Sequence, residues 1–191
     1  MTLRPLTVWD AGVLQPMLDD PAVRAAMRWD IDQNRDAARW LTSVIQQQEH
    51  PHYRFVYTFG VVLDDTDVLA GVVMVTIARE DEHAVPPVLQ AELSIFLAPE
   101  HRGHGHAGRA LRRVREWCFD DLAVLDPFGG SAPMGEVIAA CLPTNDASRS
   151  MLGRLLVPRG TVEAASRRGG GTVTALKFGL TRAERREHPG R

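Results

Sequence analysis

An apolar run, VLQAELSIFLA (88–98), leads directly into PEHRGHGHAGRAL (99–111), and a second apolar run, EVIAACL (136–142), follows some way on. Between them Ala107, Ala110, Leu111, Val114, Trp117 and Cys118 recur at i, i+3, i+4, i+7, i+10 and i+11. That spacing is one buried helical stripe, and Arg109, Arg112, Arg113 and Arg115 fall on the other side of it. A strand, a glycine-rich turn, an amphipathic helix and another strand form a crossover unit. Such a connection between parallel strands of one sheet is right-handed. Residues 88–142 therefore set the centre of the fold, and the rest of the chain must pack around them.

TLRPL opens the chain as a short strand candidate, and Asp10 is placed to cap a helix carrying Val13, Leu14, Met17 and Leu18. Pro21 starts a second short helix through Met27, and residues 34–48 have Ala37, Ala38, Leu41, Val44 and Ile45 at helical spacing. YRFVYTFGVVL (53–63) and VLAGVVMVTIA (68–78), joined across Asp64, Asp65 and Thr66, read as a hairpin. A Gly- and Pro-rich loop spans 120–135, and a helix begins near Asn145 with Ala147, Met151, Leu152 and Leu155 inward. Strands over about 157–165 and 172–180 flank the turn RRGGG. The expected class is α/β (α+β): a single mixed, mostly antiparallel, twisted sheet of about seven strands. It has a central parallel strand–helix–strand crossover and flanking helices. Residues 1–180 form one domain, and TRAERREHPGR (181–191) is expected to be a charged, frayed C-terminal tail.

The turn 101–108 holds three histidines and three glycines. A junction between a strand end and a helix start exposes unpaired backbone N–H groups at the positive end of the helix dipole, which suits an anion. Glycine lets that backbone come close to phosphate oxygens and take conformations closed to other residues. The Lys-Ser/Thr pair of a nucleotide-triphosphate loop is missing, and the hairpin before it is not a Rossmann half. His101, His104 and His106 offer imidazoles to a metal. They lack an acidic or cysteine partner at zinc spacing, and converging His104 and His106 across a tight turn would strain it. The anion-binding reading is preferred, and no metal site is expected.

The 22 Lys+Arg and 24 Asp+Glu residues leave a formal charge of −2, which gives no general attraction to nucleic acid. No apolar run approaches the ~20 residues of a membrane span, and the N-terminus lacks the apolar core of a signal peptide. Cys118 and Cys141 lie inside predicted core elements, which fits reduced thiols and a cytoplasmic location.

On the segment Arg102-Gly103-His104-Gly105-His106-Ala107 the chain resembles the GNAT acyltransferases, whose most specific motif is Arg/Gln-x-x-Gly-x-Gly/Ala after the fourth strand. The strand before it, the helix behind it, EVIAACL and the Asn145-x-x-Ser148 pair match as well. The opening LRPLTVWDAGVLQPMLDDPAV is similar to the branch that includes ribosomal-protein N-terminal acetyltransferases. The resemblance covers about residues 2–180 and implies the GNAT fold with acetyl-CoA as co-substrate. It puts the coenzyme A pyrophosphate on the amides of Gly103, His104, Gly105, His106, Ala107 and Gly108, with Arg102 at the loop entrance. The pantetheine arm would lie where strands 91–97 and 136–142 part, pairing with backbone from Phe96 through Leu97 to Ala98. Asn145 would touch that arm, and Arg109, Arg112 or Arg113 the adenosine phosphates.

Glu92 is the candidate base, directly or through water, because an amine must lose a proton before it attacks a thioester. A structural strand glutamate is the competing reading. The resemblance places a thiolate-protonating tyrosine where Leu152 stands, so Ser148 is the nearest polar substitute. A serine bonding backbone in the first helical turn, and an asparagine serving only as a cap, remain open for Ser148 and Asn145. Leu156-Val157 replaces a Gly-Phe pair common among relatives, which leaves the acceptor pocket open. Asp64, Asp65, Asp67 and Glu80-Asp81-Glu82 can attract a cationic acceptor or simply be solvated turns. Trp29 and Trp40 are either acceptor wall or core. The expected activity is acetyl transfer to a primary amine, on a protein N-terminus or a small molecule, by a monomer or homodimer with no nucleic-acid or membrane partner. A catalytically weak acyl-CoA sensor of the same fold is the alternative.

Overall fold

The computed structural model describes residues 1–26, 36–49, 56–79, 88–122, 124–125, 131–166 and 171–187. Seven strands form one sheet: β1 (Thr2–Pro5), β2 (Val56–Leu63), β3 (Val68–Arg79), β4 (Leu89–Leu97), β7 (Met134–Cys141), β8 (Val157–Ser166) and β9 (Gly171–Thr181). Their spatial order is β1-β2-β3-β4-β7-β9-β8, and β4–β7 is the parallel pair within it. Two short strands inside the anticipated 120–135 loop, β5 (Val124–Leu125) and β6 (Ser131–Ala132), pair with each other.

The β2–β3 hairpin turns where expected, with Asp67 at φ 55°, a left-handed position that aspartate tolerates better than most residues. Gly71 of β3 lies so close to β4 that a Cβ there would sit 2.3 Å from the Phe96 carbonyl oxygen. Glycine is the residue that lets these strands meet.

Helices cover both faces of the sheet. On one face α4 (His106–Asp120) and α5 (Asp146–Leu155) bury Ala110, Leu111, Val114, Cys118, Leu152 and Leu155 against Val73, Leu93, Val137 and Phe178. On the other, α1 (Ala11–Asp19), α2 (Pro21–Ala26) and α3 (Ala37–Glu49) bury Leu14, Met17, Val23, Trp40 and Leu41 against Val62, Val72 and Phe96. Alternation along β4 divides its side chains between these layers. Trp40 is core, its ring 6.5 Å from that of Phe96, while Trp29 falls outside the described residues.

Four expectations need correction. Asp10 does not cap α1: its carboxylate accepts the Thr7 amide at 2.7 Å and pairs with Arg4. Arg115, expected on the solvated stripe, is 3% exposed and donates to the Leu155 carbonyl at 2.8 Å, which needs α5 to be in place. Ala147 is exposed rather than buried. The charged tail is not frayed over 182–187. It forms α6 (Arg182–Glu187), held by Arg185 on Asp120, Glu184 on Arg159, and Arg182 on the carbonyls of Met134 and Phe119. Among the described residues, no helix is long and apolar enough to cross a membrane.

Candidate active site

The β4–β7 ladder runs from Leu89↔Met134 to Glu92↔Ile138 and stops, although β4 continues to Leu97 and β7 to Cys141. The strands therefore part beyond Glu92, and the ladder no longer joins the facing edge of β4 to β7. A short 3-10 turn (Pro99–His101) follows β4 and delivers the chain to Arg102. Gly103 and Gly105 then adopt φ 80° and 75°, and Gly105 stands in the N-cap position of α4 with no side chain bonded to the helix start. Nothing lies within 4 Å of where a Cβ on Gly103 would be, so space is left over the loop. An uncapped first turn, a left-handed glycine hinge and open space together expose backbone donors to an incoming anion.

That loop forms one end of a cleft of about 740 Å³. The cleft gathers Phe96, Leu97, Arg102, Gly103, Gly105, His106, Ala107, Gly108, Asn145 and Ser148 from three separate segments of chain. Asn145 caps α5, its Oδ1 accepting the Ser148 amide at 3.0 Å, and the same bond holds Ser148 at the cleft wall. Three of the sequence-derived residues lie elsewhere. Ala98 is buried, its amide donates to the Ala70 carbonyl at 2.9 Å, and it borders a separate small cavity beside Val68 and His101. His104 is exposed beside the loop. Glu92 is half-buried on the face shared with Phe96, at the rung where β4 and β7 separate.

Arg109 and Arg112 line the cleft, whereas Arg113 turns away to the Met1 carbonyl. Sequence reasoning missed Arg154, which lines the cleft from α5, and Ala22, Val23 and Ala26, which close it from α2. Asn145, Ser148, Met151 and Arg154 follow at steps of three, and that spacing was a usable signal for Arg154. Nothing local marks α2. Asp64, weighed as an acceptor attractant, is engaged with the N-terminal amine and Thr2. The rings of His104 and His101 lie 5.9 and 6.5 Å from that of His106. Among the described residues no group of three metal-ligating side chains converges on a point. Burial pushes the His106 imidazole below its ordinary value, and the charges of Arg109, His104 and His101 push it the same way.

A parted parallel strand pair and a glycine loop opening a helix thus frame a cleft between two helical layers, with an anion-accepting end at the first turn of α4. Residues 1–155 match the acetyltransferase (GNAT) domain family, and the chain belongs to that family of N-acetyltransferases. No curated protein matches the chain at the sequence level. Solved structures share its fold at low identity. The ribosomal-protein-S5-alanine acetyltransferase from Vibrio fischeri is 17% identical with a TM-score of 0.71, over 94% of this chain and 91% of that one. RimJ from Mycobacterium smegmatis, solved with CoA-disulfide, is 17% identical with a TM-score of 0.73, over 95% and 82%. The spermidine N-acetyltransferase from Vibrio cholerae, solved with CoA and spermine, is 16% identical with a TM-score of 0.69, over 96% of each chain.

Proposed function

We propose that the protein transfers an acetyl group from acetyl-CoA to a primary amine, on a protein N-terminus or a small molecule, by direct attack within a ternary complex. The observation that carries this reading is the uncapped α4 start with its two left-handed glycines, at the mouth of a cleft that reaches Ile95, Phe96 and Leu97 of β4, beyond its last rung with β7. The solved relatives described above are named for a protein and for a small polyamine, so both acceptor classes stay in play.

In this reading the amides of residues 103–108 hold the pyrophosphate, and Arg109, Arg112 and Arg154 meet the remaining phosphate charge. The pantetheine arm runs along the parted edge of β4 past Phe96 and Leu97 and brings the thioester toward the last β4–β7 rung. Glu92 stands at that rung. It takes the proton from the incoming ammonium, directly or through one water, so that the free amine attacks the thioester carbon. A main-chain N–H on the parted edge of β4 donates to the oxyanion. The C–S bond then breaks, the nitrogen gives up its second proton to become the amide, and the departing thiolate, with an ordinary pKa of ~8.5, takes up that proton, with Ser148 the nearest group to pass it on. Leu152 is 3% exposed in the core and supplies no acid.

Free-thiol release from acetyl-CoA across a panel of peptide N-termini, polyamines and amino sugars tests the proposal. Turnover on one class with a Glu92→Gln loss of about a hundredfold in kcat supports it. Coenzyme A binding without turnover on any amine would favour the sensor alternative. Gly105→Glu puts bulk and negative charge into the loop and abolishes binding. Near-normal affinity in that folded variant, measured by calorimetry, would refute the loop assignment.

A further inference from the structure

Arg102 opens the glycine loop, where the family reading counts it among the cofactor-binding residues, yet its guanidinium is already engaged. Nε and Nη2 donate to the Leu97 carbonyl at 3.0 and 2.9 Å, and Nη2 also meets Asp20 Oδ2 at 2.6 Å. Asp20 is the single residue between α1 and α2. Its amide donates to the Met17 carbonyl at 3.3 Å, and its Oδ1 accepts the Ala22 amide at 2.6 Å and the Val23 amide at 3.4 Å. One carboxylate oxygen thus starts α2 while the other holds Arg102. One guanidinium joins the end of β4, the glycine loop and α2.

The helix on the far side of this tie is short. α2 has six residues and buries only Val23, too little chain for a helix to hold by propensity and too little apolar area to hold by packing. Yet Ala22, Val23 and Ala26 form the cleft wall that faces the glycine loop and α5. Isolated surface ion pairs contribute little, but the Asp20 side chain is only 10% exposed and its bonds are charge-assisted.

We propose that the Asp20–Arg102 pair is a positioning device that fixes α2 as a wall of the cofactor cleft, so that Arg102 acts through Asp20 and Leu97 rather than as a phosphate ligand. The proposal deepens the acetyl-CoA reading and rests on it for its kinetic consequence. Breaking the pair loosens one short helix at the cleft and leaves both cores packed. The expected signature is a raised KM for acetyl-CoA with kcat and melting temperature little changed.

Asp20→Asn separates the alternatives because it keeps an acceptor for the α2 amides and leaves Arg102 in place. If Arg102 positions α2, Asp20→Asn and Arg102→Gln each raise the acetyl-CoA KM by about five- to tenfold, and the double variant is no worse than the worse single one. If Arg102 is a phosphate ligand, Arg102→Gln alone raises KM, and Asp20→Asn leaves it unchanged or lowers it. That second pattern overturns the proposal. Hydrogen exchange of amides 22–26 in the protein without ligand reads the tie independently of catalysis. Faster exchange in both variants supports the positioning role even should acetyl-CoA not be the substrate, and unchanged exchange in both overturns it. A wild-type protein that neither binds nor turns over acetyl-CoA would defeat the functional reading alone.

Discussion

Arg4 and Asp10 face each other through two charge-assisted bonds, 2.7 Å from Nη2 to Oδ1 and 2.9 Å from Nη1 to Oδ2. Asp10, 7% exposed, also accepts the Thr7 amide. The Arg4 guanidinium holds the Asp10 carboxyl below its usual range, against the opposing pull of burial. A carboxyl with a depressed native pKa stabilises the fold above its unfolded value of ~3.9, and that stability is lost as pH falls toward the native value. Asp10→Asn should therefore cost about 1–3 kcal/mol in urea unfolding at pH 7, with the difference from wild type shrinking below about pH 4. The sequence pointed to Asp10 because an acidic residue before an apolar helical run is a common cap. It could not show that the carboxylate turns back to a strand, because Arg4 becomes its partner only once β1 is docked on β2. Gly71 is a second residue whose role is set by its surroundings. A Gly71→Ala Cβ would meet the Phe96 carbonyl oxygen at 2.3 Å and a Leu97 methyl at 2.5 Å. Such a change should cost about 2–3 kcal/mol by forcing β3 and β4 apart, as read by the shift in denaturation midpoint.

At the scale of elements, the strand–loop–helix unit 89–120 was legible because its determinants are local: glycines at the hinge, a stripe of apolar residues and the basic face. Arg115 was misread within that same helix, since its burial depends on a carbonyl forty residues away in α5. The loop also carries a testable titration. Burial, and after it the Arg109 guanidinium beside the ring, push the His106 imidazole below its ordinary value, with Asp65 as the opposing charge. The ring therefore stays neutral in the free protein to a lower pH than an ordinary histidine. An arriving pyrophosphate reverses the local field and raises the His106 pKa, so binding takes up a proton. Coenzyme A affinity should therefore strengthen by about two- to fivefold between pH 8 and pH 6. His106→Asn should flatten that dependence. Calorimetry in buffers of different ionisation enthalpy reads the proton uptake directly, and proton release on binding would contradict the assignment.

Across the whole molecule, the sheet with its central crossover followed from the alternation of apolar runs and helical stripes. The assembly of the cleft did not, because α2, α4 and α5 come from opposite layers and meet only across the parted strands. α6 escaped notice for the same reason: its arginines find Asp120, Glu116 and the Phe119 ring, 5.3 Å from the Arg185 guanidinium, only in the folded chain. A ligand in this cleft touches walls belonging to both cores and should couple their unfolding. At a hundred times its dissociation constant, coenzyme A stabilises by about 2.7 kcal/mol, which for a domain of this size raises the melting temperature by roughly 5–10 °C. Cys118 tests whether that stabilisation is global. It is 0% exposed on the inner face of α4, and burial alone pushes its thiol up to about 12, so alkylation in the native state needs an opening event. If the two layers open as one unit, the same coenzyme A concentration slows Cys118 alkylation about a hundredfold in step with the change in stability. Labelling that is indifferent to coenzyme A would instead mean that α4 lifts from the sheet without disturbing the cleft. That is incompatible with a phosphate site built on the first turn of α4.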